Sequence, residues 1–527
     1  ISGDLDKLKT YGPELNKLFV AGSEFDYEVL TYLVMLKDPA YKESYLKAIA
    51  TGDTRLVPLA AGMIVELNMT DAIDALIECY NKATDMEVKR IVLEAGATLK
   101  DPKLAKLAND LLWEKGPDDV PIANLRWACR ALERQADPST INTLLRAMFY
   151  RDSVGRDINS DCTMALLAIG KPAIPEIQKM LRLENEDVMG YVNRNSDRMT
   201  KETIILGATA LLGRLRAKEA KDDLLGRVQD PTPIVPPGVL AVKPTSDMAW
   251  VEWANLISQV YQEMLFSLND IGVEGDENMK AALIAMYQWA EPYPTKFKKP
   301  VEFVNMIEVS VRVNAALVLA ANDYTKDEAT LQIVLQTLKD PEFNNDRKLR
   351  PAARASIAQD VVTYLGIVSE PGWTDTVWKF FNDMIAVEFA DKPDAKIVFD
   401  FVPVRTRIAA MEATYKVADE CVDNPKCYAK YVEKTGEENH FQKIKGVFEL
   451  GRMGSHDDFD LILKHFGEFD PFGVMFAADA LARLGKAEDA PKVEALIKEL
   501  KATRDEQSVR IFEGYLKPLR FTLLNKQ

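Results

Sequence analysis

Glycine and proline are scarce in this chain, at 26 each in 527 residues. An all-β protein of this length would need more turn residues than that. Cysteine is scarcer still, with five residues at Cys79, Cys129, Cys162, Cys421 and Cys427. Basic charge is in deficit: 66 Lys and Arg stand against 81 Asp and Glu, for a net charge of −15. A protein that binds nucleic acid broadly needs a basic face, so the charge argues against that partner class, and no nucleic-acid partner is expected. No apolar run reaches the roughly 18 residues of a membrane-spanning helix. Association with a membrane would need a partner or a removed N-terminal anchor. The sequence has no CxxC, GxGxxG, P-loop, GxSxG or HExxH motif, so the commonest cofactor and catalytic signatures are missing.

What remains is the composition of a folded protein, 47% hydrophobic and 28% charged. The length is too great for one compact core and implies several domains or an elongated array. A repeat decides between these. Arg55-Leu-Val-Pro-Leu-Ala60-Ala61, Arg90-Ile-Val-Leu-Glu-Ala95-Gly-Ala97 and Arg126-Trp-Ala128-Cys-Arg-Ala131-Leu132 each open a small-residue helix. A shorter Leu/Ile helix follows each: Ile73 to Ile77, Leu104 to Leu112, Ile141 to Leu145. The anchor alanines Ala60, Ala95 and Ala128 lie 35 and 33 residues apart, a period that marks a stacked-repeat array. The pattern returns at Asp161, Thr203, Val311, Ala352, Val404 and Phe476. Alanine at helix crossings lets backbones approach, while Leu and Ile fill the layer between pairs.

This pattern resembles short HEAT-like repeats, with Arg-x-x-Ala-Ala-x-x-Leu in the first helix and Ala-x-x-x-Leu-x-x-x-Leu in the second. The resemblance implies an all-α fold, a right-handed α-solenoid of roughly 12 HEAT-like helix pairs. The expected division is N-terminal capping helices over 1–54, regular HEAT-like repeats over 55–182, HEAT-like repeats with long connections over 183–403, and C-terminal HEAT-like repeats with a cap over 404–527. The first twenty residues are expected to be irregular. Proteins of this kind are mostly scaffolds and adaptors. Among HEAT-like enzymes, deoxyhypusine hydroxylases hold iron through His-Glu pairs, and this chain has no such dipeptide. HEAT-like DNA glycosylases need a basic groove that the net charge disfavours. Phycobilin lyases lack a compact motif, but the length and long loops here fit them badly.

Turns inside each pair are short, whereas connections between pairs are long: Glu184 to Thr200, Asp230 to Asp247, Glu291 to Val301, Asp340 to Leu349 and Ala390 to Pro403. In a solenoid such connections emerge along one edge, so they are expected to form a binding ridge. The alternative is that they fold back over the solenoid's own grooves. Pro236 and Pro237 sit in a Pro-rich stretch expected to be extended. Tyr293, Lys296, Phe297 and Lys298 mix aromatic and basic character. Tyr191, Phe343 and Phe389 complete the expected contact residues.

Other chemistry is thin. Cys79, Cys129 and Cys162 lie in apolar helices and are expected to pack as small hydrophobes. Cys421 and Cys427 flank a within-pair turn. A disulfide there requires the two Cβ atoms to approach within about 4 Å, and two reduced thiols are the alternative. The spacing resembles a Cys-x5-Cys-Tyr turn of HEAT-like proteins exported by bacteria. With Ile1 rather than Met at the first position, this makes an extracytoplasmic, periplasmic or exported, location the expectation. His440, His456 and His465 are weak metal candidates. Gly454-Ser-His-Asp-Asp458 reads more simply as a helix start. Trp250, Trp253, Trp373 and Trp378 read as core or groove-wall residues. The expectation is a non-enzymatic scaffold without cofactors, binding protein partners within a larger assembly. The alternative is a ligand carrier or lyase-type enzyme whose concave face carries a pocket lined by second helices.

Overall fold

The computed structural model describes residues 5–195, 199–230, 247–296, 301–339, 351–383 and 395–526. Their secondary structure is helical apart from one isolated bridge between Arg151 and Asp157. Two compact units divide the chain: Ile1–Glu176 with Glu186–Tyr191, and Ile177–Asn185 with Val192–Gln527.

The first unit opens with α1 (Leu5–Leu18), where an irregular segment was expected. Pro13 lies inside it, which hides the helix from a reading by propensity. Four complete helix pairs follow: α2 (Asp26–Leu36) with α3 (Lys42–Thr51), α4 (Leu56–Glu66) with α5 (Ile73–Lys82), α6 (Met86–Leu99) with α7 (Pro102–Glu114), and α8 (Ile122–Gln135) with α9 (Ile141–Ala147). Next comes α10 (Asn159–Ile169), then α11 (Ile174–Leu181), within which the units divide. Helices α2, α4, α6, α8 and α10 stack in one layer, and α3, α5, α7 and α9 in a second. Ala60, Ala95, Ala128 and Ala131 are buried between them. Caps define the starts: Asp85 accepts the Glu87 and Val88 amides, and Asp101 precedes a Pro at the first turn of α7. The stretch from Glu184 was expected to be a loop, but it contains α12 (Glu186–Arg194). Its Val188 and Val192 are buried at i, i+4 spacing.

The second unit keeps the pair pattern and bends it closed. Its first helices are α13 (Lys201–Arg214), α15 (Asp247–Ile271), α18 (Val301–Ala321), α20 (Pro351–Ile367), α22 (Ala395–Glu420), α24 (His440–Met453), α26 (Pro471–Leu484) and α28 (Glu506–Leu524). Each packs on the next, and α28 returns to pack on α13. The second helices are α14 (Lys221–Gln229), α16 (Glu277–Gln288), α19 (Glu328–Lys339), α21 (373–383), α23 (Pro425–Val432), α25 (Asp458–His465) and α27 (Ala490–Thr503). A short α17 (Tyr293–Lys296) stands in the expected 291–301 connection. Helix α22 begins at Ala395, inside another expected loop.

Close backbone approach makes the ring possible. A Cβ on Gly213 of α13 would lie 2.8 Å from the Ser267 Cα of α15, and one on Gly451 of α24 would lie 2.9 Å from the Ala480 Cα of α26. Polar ties cross the ring. The fully buried Lys445 ammonium donates to the Ser369 carbonyl at 2.7 Å, the Ile367 carbonyl at 3.3 Å and Glu449 Oε1 at 3.2 Å. It thereby satisfies carbonyls left free at the end of α20. Arg452 pairs with Asp323. The chain is an all-α solenoid of HEAT-like helix pairs, and among the described residues no helix is long and apolar enough to cross a membrane.

Candidate functional site

The site that the fold builds lies where the second unit's ring closes. Helices α13, α15, α26 and α28 enclose a cavity of about 290 Å³. Phe266, Met475, Pro518 and Leu519 give it apolar walls, and Gly213 and Ala478 keep it open. Into this space project Arg214, Arg216, Glu263, Asp270, Asp479 and Tyr515. Glu263 and Asp270 stand seven residues apart on α15, two turns along one face. The lining of this cavity comes from first helices, whereas the second helices α5 and α7 of the first unit contribute to two further cavities of about 430 and 460 Å³.

Charge in the cavity is only partly paired. Arg216 Nη2 meets Asp479 Oδ1 at 2.6 Å, and Arg483 Nε meets Asp479 Oδ2 at 2.8 Å. Burial would raise the Asp479 carboxyl, but these two guanidiniums outweigh it and hold it below its ordinary value. Asp270 goes the other way. Burial pushes it up to about 7; Arg216 pulls against that, while Asp479 and Glu263 add to it. Burial also raises Glu263, against the pull of Arg214. The Tyr515 hydroxyl is raised by burial and by Asp270 and Glu263. The side chains of Glu263, Asp270, Arg214 and Tyr515 make no hydrogen bond or ion pair with any described residue. The cavity therefore offers two carboxyls, a guanidinium and a hydroxyl to an occupant, beside an apolar wall.

Of the sequence-predicted contact residues, the structure describes the side chains of Tyr191 and Tyr293. Tyr293 is buried at 2% exposure, with its hydroxyl donating to the Val228 carbonyl at 3.2 Å and its ring stacked on Trp289. It is a packing residue, drawn inward because α17 folds against α14. Tyr191 is half-buried, with its ring 5.0 Å from that of Tyr150. Lys296 ends α17. Pro236, Pro237, Phe297, Lys298, Phe343 and Phe389 lie outside the described residues.

The histidines are dispersed. His440 Nε2 faces Asp470 at 3.3 Å, His456 Nε2 faces Asp489 at 2.7 Å, and His465 Nδ1 faces Glu468 at 2.9 Å. Each imidazole has its own carboxylate, and they do not converge on a common point for a metal. Among the described residues, the one group of three metal-ligand types is Glu420, Cys421 and Cys427. Its sulfurs are bonded to each other, with Cα atoms 5.3 Å apart, which removes both thiolates as ligands. Cys129 and Cys162 are buried, as small hydrophobes would be, but their sulfurs touch at 2.8 Å. Trp253 is in the core, and Trp378 packs on Tyr415.

A second feature was not foreseen. Tyr11, Leu18, Val20 and Phe25 are 56%, 65%, 60% and 63% exposed. Tyr11 and Leu18 share one face of α1, seven residues apart, while Leu8 and Gly12 are buried. The sequence signal was present in Tyr11 and Leu18, but reading this segment as irregular gave it no face.

No protein-family profile matches the sequence, and no curated protein sequence matches it. Among solved structures, a crystal structure of importin beta aligns with a TM-score of 0.36 and 12% identity, covering 98% of this chain and 70% of that one. Kap121p aligns with a TM-score of 0.37 and 10% identity, and this chain spans 56% of its length. A chain from a structure of the interaction between cadherin and beta-catenin aligns with a TM-score of 0.30 and 11% identity, covering 97% and 99%. At such scores the fold rests on the helices themselves.

Proposed function

We propose that this protein is a non-enzymatic scaffold that binds another protein as part of a larger assembly. The observation that carries the reading is the outer face of the first unit. Helix α1 and the turn after it turn out Tyr11, Leu18, Val20 and Phe25. Exposed apolar side chains of this size, within fifteen residues of one another in sequence, mark an interaction surface. The expected loop ridge falls largely outside the described residues and remains part of the proposal as a second contact edge. The Cys421–Cys427 bond supports an extracytoplasmic location, since such bonds persist where thiols are not kept reduced.

The test is isolation from the native source with the partner identified by mass spectrometry. Wild type is expected to bring a stoichiometric protein, and Leu18→Glu with Phe25→Glu to lose it while helicity and melting stay unchanged. Loss of folding without a partner in the wild type would sink the reading. Replacing 231–244 by a short linker is expected to weaken binding without lowering the melting temperature.

The cavity favours a second reading, small-ligand binding at the ring closure. Its specific observation is the unpartnered set Arg214, Glu263 and Asp270. Native mass spectrometry of gently purified protein is expected to show a retained small molecule, absent from Arg214→Ala. Its absence, together with no shift in melting with diamines or amino acids, would remove this reading.

A further inference from the structure

Two reduced cysteines of the first unit are placed where a covalent bond between repeats would form. Cys129 lies in α8 and Cys162 in α10, the first helices of neighbouring pairs. Both are fully buried, and their sulfurs are 2.8 Å apart. Even carbon atoms in ordinary non-bonded contact settle at roughly 3.5–4.0 Å. A disulfide is about 2.05 Å long, so less than about 1 Å of travel separates this contact from a bond.

The approach is held by the helices around it. Arg130 Nε pairs with Asp161 Oδ1 at 2.9 Å, and Arg126 Nη2 donates to the Asp157 carbonyl at 3.0 Å. These ties lie on either side of Cys129 in α8 and just before Cys162 in the next repeat, so they fix the register that makes the sulfurs meet. Tyr150 packs nearby, with its hydroxyl anchored on the Leu112 carbonyl at 2.9 Å. Cys79, the remaining free cysteine, has no such partner.

We infer that Cys129 and Cys162 form a second disulfide, a covalent staple between α8 and α10 that joins consecutive repeats of the first unit. The oxidant is a low-molecular-weight or protein disulfide acting by thiol–disulfide exchange. One cysteine attacks it as the thiolate, forming a mixed disulfide and releasing one thiol. The thiolate of the second cysteine then attacks the Sγ of the first, breaking its bond to the oxidant's sulfur and releasing the oxidant's other half as a thiol. One S–S bond breaks and one forms: the two cysteines lose two electrons and two protons, and the oxidant leaves as two thiols. Burial, with Cys129 beside it, raises the Cys162 thiol well above its ordinary range, so exchange is slow once the layer is packed. The bond therefore forms while α8 and α10 come together.

The experiment is a thiol map of the whole chain. Protein purified from an oxidising compartment without reductant is acid-quenched, denatured, alkylated with iodoacetamide and digested. The expected result is a cross-linked peptide pair carrying Cys129 and Cys162, with Cys79 the single alkylated cysteine of five. Cys421–Cys427 serves as the internal control. If it is reduced, the chain is refolded from reductant and denaturant in oxidised and reduced glutathione, at a ratio raised until that bond forms, and the map is read there. Alkylated Cys129 and Cys162 beside an intact Cys421–Cys427 bond overturn the inference. The variant Cys129→Ala, which keeps a small apolar side chain, is expected to free Cys162 and give two alkylated cysteines. Its urea midpoint should lie below that of oxidised wild type.

Discussion

Asp270 shows what burial does to a single carboxyl. Its value of about 7 in the folded chain compares with about 3.9 for an unfolded aspartate. Between those values the native state binds more protons than the unfolded chain. The contribution of this residue to stability therefore falls as pH rises from about 4 to about 7, and stays low above that. Asp270→Asn abolishes the effect. The variant is expected to match wild type near pH 4 and to exceed it by about 1–3 kcal/mol at pH 8, a range discounted for the residue's partial exposure to the cavity. Urea midpoints at the two pH values decide it; a difference independent of pH would show that the carboxyl is well solvated. Lys445 is the opposite case, a buried cation with all its donors used. Lys445→Met leaves Glu449 buried without its partner and is expected to cost about 3–5 kcal/mol, read as a lower midpoint in denaturant.

At the scale of helices, the regular pairs were legible because Ala60, Ala95 and Ala128 fall at one spacing and each occupies a crossing. Helix α1 was not, because Tyr11-Gly12-Pro13 reads as a break. In the structure Gly12 is the close approach, where a Cβ would meet the Tyr41 hydroxyl. Helix α12 was missed because Glu184-Asn-Glu-Asp187 and Asn193-Arg-Asn195 bracket a short apolar pair with loop-like residues. The cavity had one sequence signal: Glu263 and Asp270 stand on the same face of an aromatic-rich helix whose other residues are largely apolar. Nothing local to that helix announces Asp479 or Tyr515, which arrive from more than 200 residues away. Close approach between neighbouring helices is itself testable. Gly213→Ala forces Ser267 and its backbone away and is expected to destabilise by about 1–3 kcal/mol. An unchanged midpoint would show that α13 and α15 have room to separate.

For the second unit as a whole, the ring changes which parts are weak. In an open stack, stability is a sum over neighbours and the terminal repeats fray first. Here α13 and α28 cover each other, so their amides are expected to exchange with deuterium as slowly as those of α18 in the middle of the unit. Fast exchange confined to α28 would show that the ring opens readily at this joint. The same joint bears on how the protein is made. Arg214 and Thr522, which meet across it, are 308 residues apart in the chain. At roughly 5–20 residues per second of synthesis, the face of α13 that meets α28 waits for about 15–60 s before its covering helix exists. For that interval the α13 face is an uncovered apolar seam, and the yield in a cell depends on what shields it in the meantime.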